Sequence, residues 1–310
     1  MNTPVCLFVY KRLDHTKKTI ESLKCCRESE NTTLFIFSDG AKNDTDLKDV
    51  TNVREYIDNI SGFKDIIVYK NDDNKGLANS IINGVGKIIN KYGKVIVIED
   101  DLEFSSNFLI YMNECLDIYE NNKNIWSISG YAPNIEIPSD YKKDVYVTMR
   151  GCSWGWATWD DRWNIIDWNC DDYNVFKRNR KKIKSFNNTG NDMSYMLDLQ
   201  MNKEIDSWAI RWCYNQWKKN KYTIYPIVSK VRNIGTDNSG THSGDTKKYD
   251  CKLDDDKALN IPNEIEANIK IEKNFKKFYS QNIKIYASKL SRKIGIYKVL
   301  RKKYYKVTKR

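Results

Sequence analysis

The sequence predicts an α/β fold in which a doubly wound, mostly parallel sheet carries helices on both faces. In the first hundred residues, four short apolar runs alternate with three segments of helical periodicity, which gives the order β-α-β-α-β-α-β. The runs are nearly continuous and rich in β-branched residues, as is typical of parallel strands covered on both faces. With 310 residues, 40% of them hydrophobic, the chain is long enough to bury a sizeable core.

The predicted strands are residues 4–10, 33–37, 66–69 and 95–98. The predicted helices are residues 14–25, 44–60 and 77–90, and Asp14 is expected to cap the first of them. The third helix has the clearest pattern, because its apolar residues recur at intervals of three and four. From residue 105 onward the composition changes and no linker separates the two regions.

All nine tryptophans fall between Trp126 and Trp217. Aromatic rings suit a ligand with apolar C–H faces and hydroxyl edges, such as a sugar. Trp154 and Trp156 are the candidates for a platform on which such a ligand stacks. The alternative is core packing, because each tryptophan buries a large area. We assign at least five of the nine to the core, and Trp154 and Trp156 could equally belong to it.

Polar residues follow the carboxyl end of each predicted strand. They are Lys11 and Arg12, then Ser38, Asp39 and Gly40, then residues 71–76, and finally Glu99, Asp100 and Asp101. Ligands of open α/β sheets bind at these ends, so the clustering indicates a binding site. The alternative is that strand ends facing loops are polar in any α/β protein.

The acidic triplet at residues 99–101 is the sharpest of these signals. In an extended segment Glu99 and Asp101 point one way and Asp100 the other. Three carboxylates this close repel one another unless a cation or donor groups balance them. Mg²⁺ and Mn²⁺ take one or two protein carboxylates together with substrate phosphates, and a chain with only two histidines must use oxygen ligands. A solvated acidic loop is the alternative.

The net charge of +11 is concentrated in the C-terminal segment. Residues 270–310 carry fifteen Lys and Arg against one acid, so the first 269 residues carry −3 and nucleic acid is not an expected partner. Apolar residues recur at spacings of three and four from Ile283 to Val307. This predicts a basic amphipathic helix on an anionic membrane surface. A helix packed on the body, or an RNA-binding arm, is the alternative.

The cysteine and hydropathy patterns indicate a cellular compartment. The eight cysteines show no C-x-x-C spacing, which favours reduced thiols. No apolar run reaches the roughly 18 residues of a membrane span, and the first apolar stretch lacks the features of a signal peptide. We therefore expect a cytoplasmic protein that associates peripherally with the inner face of the membrane.

Several segments carry a family resemblance. VIVIEDDLEFSSNFLIY resembles the strand, acidic motif and following helix of nucleotide-sugar glycosyltransferases with the GT-A fold, and its EDDLE is most similar to the animal N-acetylglucosaminyltransferase I family. PVCLFVYKR and FIFSDG resemble the first two strands of that fold, and NDDNKGLANSI resembles a loop and helix start of family-2 glycosyltransferases. RGCSWGWATWDDRW, DSWAIRW and SKVRNIGTDNSGTH are similar to the acceptor half of bacterial surface-polysaccharide sugar transferases. The resemblance covers residues 4–242 and implies a Rossmann-like GT-A fold.

The resemblance also implies roles for single residues. Asp101 would bind Mn²⁺ or Mg²⁺ directly, Asp100 would contact the ribose and Glu99 would support the site through water. The other donor contacts that it implies are Arg12, Asp39, Asn74 and Lys75. Arg12 could equally be an ordinary surface arginine. His242, in GTHSG, is a further candidate metal ligand, with a plain surface histidine as the alternative.

Inverting glycosyl transfer needs a carboxylate near the acceptor hydroxyl as general base. The resemblance places this base at Asp206, which opens a tryptophan-rich segment, whereas a helix N-cap is the structural alternative. Asp160 and Asp161 are the fallback candidates. Arg211, in DSWAIRW, is a candidate acceptor contact.

Together these features imply a metal-dependent, inverting hexosyl- or N-acetylhexosaminyltransferase of bacterial surface polysaccharide synthesis. It would use a nucleoside-diphosphate sugar, a UDP-sugar by resemblance, and a glycan or lipid-linked glycan acceptor. Residues 1–104 would form the donor half, 105–245 the acceptor half of the same domain, and 246–310 the basic tail. The alternative is a non-catalytic carbohydrate-binding protein that uses the tryptophan-rich region.

Overall fold

The computed structural model describes residues 2–236, 248–254 and 259–280. Its first half alternates strands and helices in the predicted order. The elements are β1 (Val5–Val9), α1 (Leu13–Lys24), β2 (Thr33–Ser38), α2 (Asp44–Ile57), β3 (Asp65–Lys70), α3 (Leu77–Tyr92) and β4 (Lys94–Glu99). The four predicted strands and three predicted helices are therefore confirmed, with ends that shift by up to three residues.

The second half continues the sheet with shorter and more varied elements. They are β5 (Leu102–Phe104), α4 (Phe108–Tyr119), β6 (Ile125–Ser129), β7 (Val145–Thr148), β8 (Trp156–Trp159), α5 (Asp160–Trp163), α6 (Tyr173–Phe176), α7 (Arg180–Phe186), α8 (Met193–Met201), α9 (Trp208–Lys218), β9 (Tyr222–Pro226), β10 (Val231–Asn233) and α10 (Ile269–Tyr279).

Eight strands form one sheet in the order β3-β2-β1-β4-β8-β6-β9-β7. Within the group β1 to β4, neighbouring strands pair in parallel, and β6 pairs in parallel with β9. β8 and β7 run antiparallel to their neighbours. A separate two-stranded sheet joins β5 to β10. The predicted fold class, a mostly parallel sheet in an α/β chain, is confirmed.

Alternate residues of β1 enter two different core clusters, as the pleat requires. Val5, Leu7 and Val9 pack with residues of α1, α2 and α4, whereas Cys6 and Phe8 pack with residues of α3 and α9. The sheet is therefore covered on both faces, which explains why its parallel strands read as continuous apolar runs.

The N-cap of α1 differs from the sequence prediction. α1 begins at Leu13 with Arg12 at the N-cap position, so Asp14 lies inside the first turn and does not cap the helix. An acidic side chain in the first turn still interacts favourably with the helix dipole. The shift matters because it brings Arg12 to the junction between β1 and α1.

The tryptophans are mainly core residues, as predicted. Six of the nine are at most 4% exposed: Trp126, Trp156, Trp159, Trp163, Trp208 and Trp212. The ring of Trp156 stacks on Trp208 with centroids 5.0 Å apart, and it also contacts Trp163 and Trp212. This aromatic cluster fixes α9 against the sheet.

α10 covers the β7 edge of the sheet through a third core cluster that contains Tyr146, Tyr225, Phe275 and Tyr279. Arg150 lies 4.0 Å from the centroid of the Tyr279 ring and forms a two-pronged ion pair with Asp192, with both N–O distances at 2.8 Å. The guanidinium beside it holds the pKa of Asp192 below its usual range, although burial alone would raise that pKa.

We predict that Asp192→Asn destabilises the protein by about 3–5 kcal/mol at pH 7, because it leaves the Arg150 charge buried without its counter-ion. Since folding lowers the pKa of Asp192, the contribution is present above the ordinary carboxyl pKa of about 3.9 and fades as the pH falls through the folded value. Urea unfolding at pH 7 and pH 3 measures this difference. The exposed Asp140→Asn is the control, and equal stability of the two variants at pH 7 would refute the prediction.

In the described ranges no helix has both the length and the apolar composition needed to cross a membrane. The predicted amphipathic helix between Ile283 and Val307 lies outside the described residues.

Candidate functional site

The sheet order creates a crevice between the carboxyl ends of β1 and β4. From β1 the chain proceeds to β2 and β3 on one side, and then it returns to place β4 on the other side of β1. Open α/β sheets bind ligands at such a switch point. Arg12 follows β1 and the acidic triplet follows β4, so both predicted groups lie at this crevice.

Arg12 joins the two strand ends. Its Nη2 atom donates to Asp101 Oδ2 at 2.9 Å and also contacts Asp100 Oδ1. Asp100 and Asp101 are 5% and 8% exposed. The second guanidinium nitrogen, Nη1, is buried without a hydrogen-bond partner. One guanidinium group thus links both aspartates, and its Nη1 donor remains without a partner.

The predicted alternation of the triplet is wrong for Asp100. β4 ends at Glu99, and Asp100 and Asp101 occupy a turn. Because the backbone leaves the extended conformation, both aspartates reach the same guanidinium.

The cluster holds more negative charge than Arg12 balances. Burial, with the nearby charges of Asp101 and Asp100, raises the pKa of Glu99 to about 8. Burial also raises the pKa of Asp100, although Arg12 opposes the shift. A further positive charge at this position would relieve the repulsion.

These residues fit a hard divalent cation. Carboxylate oxygens are its preferred ligands, and Mg²⁺ or Mn²⁺ commonly keeps only one or two of them beside phosphate and water. Within the described part of the chain, no group of three or more metal-binding side chains converges. His242, the further candidate ligand, lies outside the described residues.

The loop after β10 packs onto Asp101. Ile234 N donates to Asp101 O at 2.8 Å, and Asn233 Nδ2 lies 3.4 Å from Asp101 Oδ1. A Cβ atom at Gly235 would collide with the Asp101 carboxylate, so only glycine permits this approach. None of these three residues was singled out from the sequence, although they lie in the quoted segment SKVRNIGTDNSGTH.

Asp39, expected to face the nucleotide, directs its carboxylate into the loop after β3. Its two oxygens accept from the backbone N–H groups of Lys75 and Gly76 at 2.9 Å, and from Asn71 Nδ2 at 3.2 Å. Asn74 Nδ2 in turn donates to Gly40 O at 2.8 Å. The Asp39 carboxylate therefore fixes the shape of residues 71–76, and the exposed Lys75 side chain extends from them.

Arg54 of α2 forms hydrogen bonds at the ends of both β2 and β3. It donates to Asn71 O at 2.5 Å, to Ser38 Oγ at 3.2 Å and to Asp39 O at 3.3 Å. No sequence pattern indicates this role, because a single arginine in an amphipathic helix is an ordinary surface residue.

We predict that Asp39→Asn lowers stability by about 1–3 kcal/mol, because an amide nitrogen replaces one acceptor beside the donors of Lys75 and Gly76. Urea unfolding measures the change. Asp73→Asn, in the same loop at an 87% exposed side chain, is the control and should shift stability by less than about 0.5 kcal/mol. Indistinguishable values for the two variants would contradict this role of Asp39.

Asp206 lies close to the loop of residues 71–76. A Cβ atom at Gly76 would be 3.6 Å from Asp206 Oδ2, and Arg211 Nη2 is 3.7 Å from Asp206 Oδ1. The N-cap alternative is wrong, because Ser207 caps α9 by accepting from Ile210 N. The Asp206 side chain is 59% exposed, so it is accessible to a ligand.

Arg211, the candidate acceptor contact, holds the start of α9. It donates to Ser207 O and to Trp168 O, both at 3.3 Å, and its side chain is 15% exposed. Its contacts orient the loop that carries Asp206.

The fallback candidates Asp160 and Asp161 lie at the opposite edge of the sheet. β8 runs antiparallel to β4, and Trp159 pairs with Lys94 at the amino end of β4. The two aspartates follow that residue, and Asp161 pairs with Lys123 and Arg162. The direction of β8 therefore separates them from the crevice.

The two candidate platform tryptophans have different surroundings. Trp156 is 1% exposed within the aromatic cluster, which leaves it no face for an acceptor. Trp154 is half-buried and makes edge contacts with Tyr131 and Tyr249, with centroids 4.8 and 5.5 Å apart. Only Trp154 retains partial access.

No family model and no curated protein matches the chain. Among solved structures, it is similar to TarS of S. aureus, residues 1–349, in complex with UDP-GlcNAc, with a TM-score of 0.42, 10% identity and coverage of 74% of this chain and 58% of that one. It is also similar to the mannosyltransferase PcManGT from Pyrobaculum calidifontis in complex with GDP-Man and Mn²⁺, with a TM-score of 0.36, 10% identity and coverage of 52% and 45%.

The chain thus spans about half to three fifths of the length of these two structures. Both structures are only distantly similar to this chain in fold. The strand order of the chain itself agrees with the Rossmann-like α/β fold that the sequence resemblance implied.

Proposed function

We propose that this protein is a glycosyltransferase that moves a sugar from a nucleoside-diphosphate donor to a glycan or lipid-linked glycan acceptor. The observation that carries the proposal is the cluster of partly buried Arg12 and Glu99 with buried Asp100 and Asp101 at the switch point between β1 and β4. The sequence resemblance of the same segments to nucleotide-sugar glycosyltransferases supports it.

On the donor side, we propose that Asp101 holds Mn²⁺ or Mg²⁺ and that Asp100 contacts the ribose. A bound divalent cation would stabilise negative charge on the departing nucleoside diphosphate. Arg12 orients the two aspartates, and its unpartnered Nη1 donor is available to a phosphate oxygen. Asp39 and Arg54 keep the neighbouring loop in place, with Asn74 and Lys75 presented to the donor from that loop.

On the acceptor side, we propose that Asp206 removes the proton from the attacking hydroxyl group. Its exposure and its position beside Gly76 support this role, and Arg211 keeps its carboxylate oriented. Direct attack by the activated hydroxyl on the anomeric carbon would invert the configuration there. Trp154 is the candidate for contact with the acceptor ring.

The finer assignments rest on the sequence resemblance. They are a UDP-sugar as donor, a hexosyl or N-acetylhexosaminyl group as the transferred unit, and surface polysaccharide synthesis as the setting. We also propose that residues 1–104 and 105–245 form donor and acceptor halves, with 246–310 as a tail. In this proposal the tail associates with the cytoplasmic face of the membrane.

The first test of this function is isothermal titration of the protein with UDP, GDP, CDP and dTDP, each with Mn²⁺ and with EDTA. We expect one nucleotide to bind, with an affinity that falls when EDTA removes the metal. Failure of all four to bind would refute the proposal and favour a carbohydrate-binding protein. The burial of six tryptophans already leaves that alternative few aromatic faces.

In the same titration, Asp101→Asn should abolish the metal-dependent part of the affinity. The loss should exceed the 10–100-fold typical of an outer-shell partner, because a direct ligand is removed. Asp73→Asn, an equal change of charge at an exposed position, serves as the control. Metal-dependent binding that survives Asp101→Asn would exclude Asp101 as the ligand.

We predict that Asp206→Asn lowers kcat by about 10²–10⁴-fold while donor affinity stays unchanged, because only proton removal from the acceptor is lost. The measurement is the rate of nucleoside-diphosphate release with a saturating acceptor, beside a donor titration. Glu204→Gln, an exposed acid two residues earlier, is the control. A kcat within about threefold of the unaltered protein would show that another group is the base.

A further inference from the structure

Six exposed basic residues lie within eight positions beside the β7 edge of the sheet. We call them the basic surface: Lys177, Arg178, Arg180, Lys181, Lys182 and Lys184. No acidic residue occurs between Asp172 and Asp192. The surface belongs to the folded body and lies about a hundred residues before the basic C-terminal segment in the sequence.

The packing of α7 forces these charges outward. Ile183 and Phe186 are the residues of α7 that turn inward, and the Phe186 ring contacts Phe176 and Tyr214 with centroids 5.7 and 5.5 Å away. Arg180, Lys181 and Lys184 therefore point away from the core.

Across the described ranges, none of these six side chains takes part in an ion pair, although Lys177 lies over the Tyr173 ring at 5.0 Å. The nearby Lys218 contrasts with them, because it pairs with Asp172 at 2.9 Å and Asp167 at 3.4 Å. The positive charge of the basic surface therefore remains uncompensated within the described protein.

This composition works against the local stability of α7. Arg180 and Lys184 are like charges at i and i+4, which repel. Three cations also lie in the first turn, where the helix dipole disfavours positive charge. Asn179, which caps the helix by accepting from two backbone N–H groups, adds no negative charge. An anionic partner would offset these unfavourable terms.

The C-terminal end of α10 lies close to the residues that follow α7. α10 ends at Tyr279, whose Cβ would lie 3.0 Å from a Cβ atom at Gly190, and Lys276 Nζ reaches Asn188 Oδ1 at 3.4 Å. Residues 281–310 then carry eleven basic and no acidic residues, with apolar residues at spacings of three and four.

Two observations favour a lipid surface over a nucleic acid. Val175, two residues before Lys177, is 66% exposed, and an apolar side chain among cations suits the headgroup boundary. The following chain combines the same charge with apolar periodicity, which nucleic acid does not require. Lys273, Lys276 and Lys277 of α10 add further exposed charge between the two regions.

We propose that the basic surface binds the anionic headgroups of a membrane and so holds the folded body against the lipid. The proposal is independent of the glycosyltransferase function, because it rests on charges away from the crevice. α7 adjoins Met149, just after β7, at the amino edge where Thr148 pairs with Thr223. The donor crevice lies at the carboxyl edge.

The test is flotation of the full chain with vesicles of phosphatidylcholine containing phosphatidylglycerol. The triple variant Arg180→Gln, Lys181→Gln and Lys184→Gln removes three charges. Each basic residue near a membrane contributes about a fivefold change in binding, so we expect a loss on the order of 100-fold. Pure phosphatidylcholine vesicles should bind neither protein.

The matched control is the triple variant Lys18→Gln, Lys48→Gln and Lys64→Gln, which removes the same charge from exposed positions in α1, in α2 and just before β3. These residues are not part of the basic surface, so vesicle affinity should change by less than about threefold. The thermal unfolding midpoint should not fall in either variant, and it should rise slightly in the first because α7 loses its like-charge repulsion. The nucleotide titration should be unchanged in both.

Equal vesicle affinity of the two triple variants would overturn the proposal. It would also be overturned if the chain bound poly(U) but not the anionic vesicles, with only the first variant losing poly(U). If the first variant fails to fold, the single changes Lys181→Gln and Lys184→Gln should each lower vesicle affinity about fivefold, and no change in either would equally contradict the proposal.

Discussion

The Arg12 guanidinium between Asp100 and Asp101 joins the ends of β1 and β4, and the candidate site depends on this contact. The two strands are neighbours in the sheet although about ninety residues separate them. Burial, together with the charges of Asp101 and Asp100, raises the pKa of Glu99 to about 8, and the single cation Arg12 only partly opposes this shift. In the proposed function, a divalent metal with its diphosphate would relieve the repulsion among these carboxylates.

A second network shapes the opposite wall of the crevice. Asp39 accepts from the backbone of residues 75 and 76, while Arg54 binds Asn71 and the end of β2. This loop leads directly into α3, and Gly76 at its end lies beside Asp206, the proposed base. Contacts that stabilise the fold therefore also set the spacing between the donor cluster and the proposed base.

The strands were predictable because burial on both faces imposes continuous apolar runs, and the tryptophan core was predictable from residue size. The details that failed depend on where strands end and which way they run. Asp100 joins Asp101 because β4 stops at Glu99, and Asp160 is remote because β8 is antiparallel. Arg54 and Gly235 gain their roles from contacts distant in sequence, which local patterns do not encode.

The most direct test of the central claim is a crystal structure of the protein with Mn²⁺ and the nucleoside diphosphate that binds it. Anomalous scattering should place Mn²⁺ about 2.1 Å from a carboxylate oxygen of Asp101, near the octahedral Mg²⁺ distance, with the diphosphate beside Arg12. A nucleotide bound away from the β1 and β4 ends, or Mn²⁺ held without Asp101, would contradict the account.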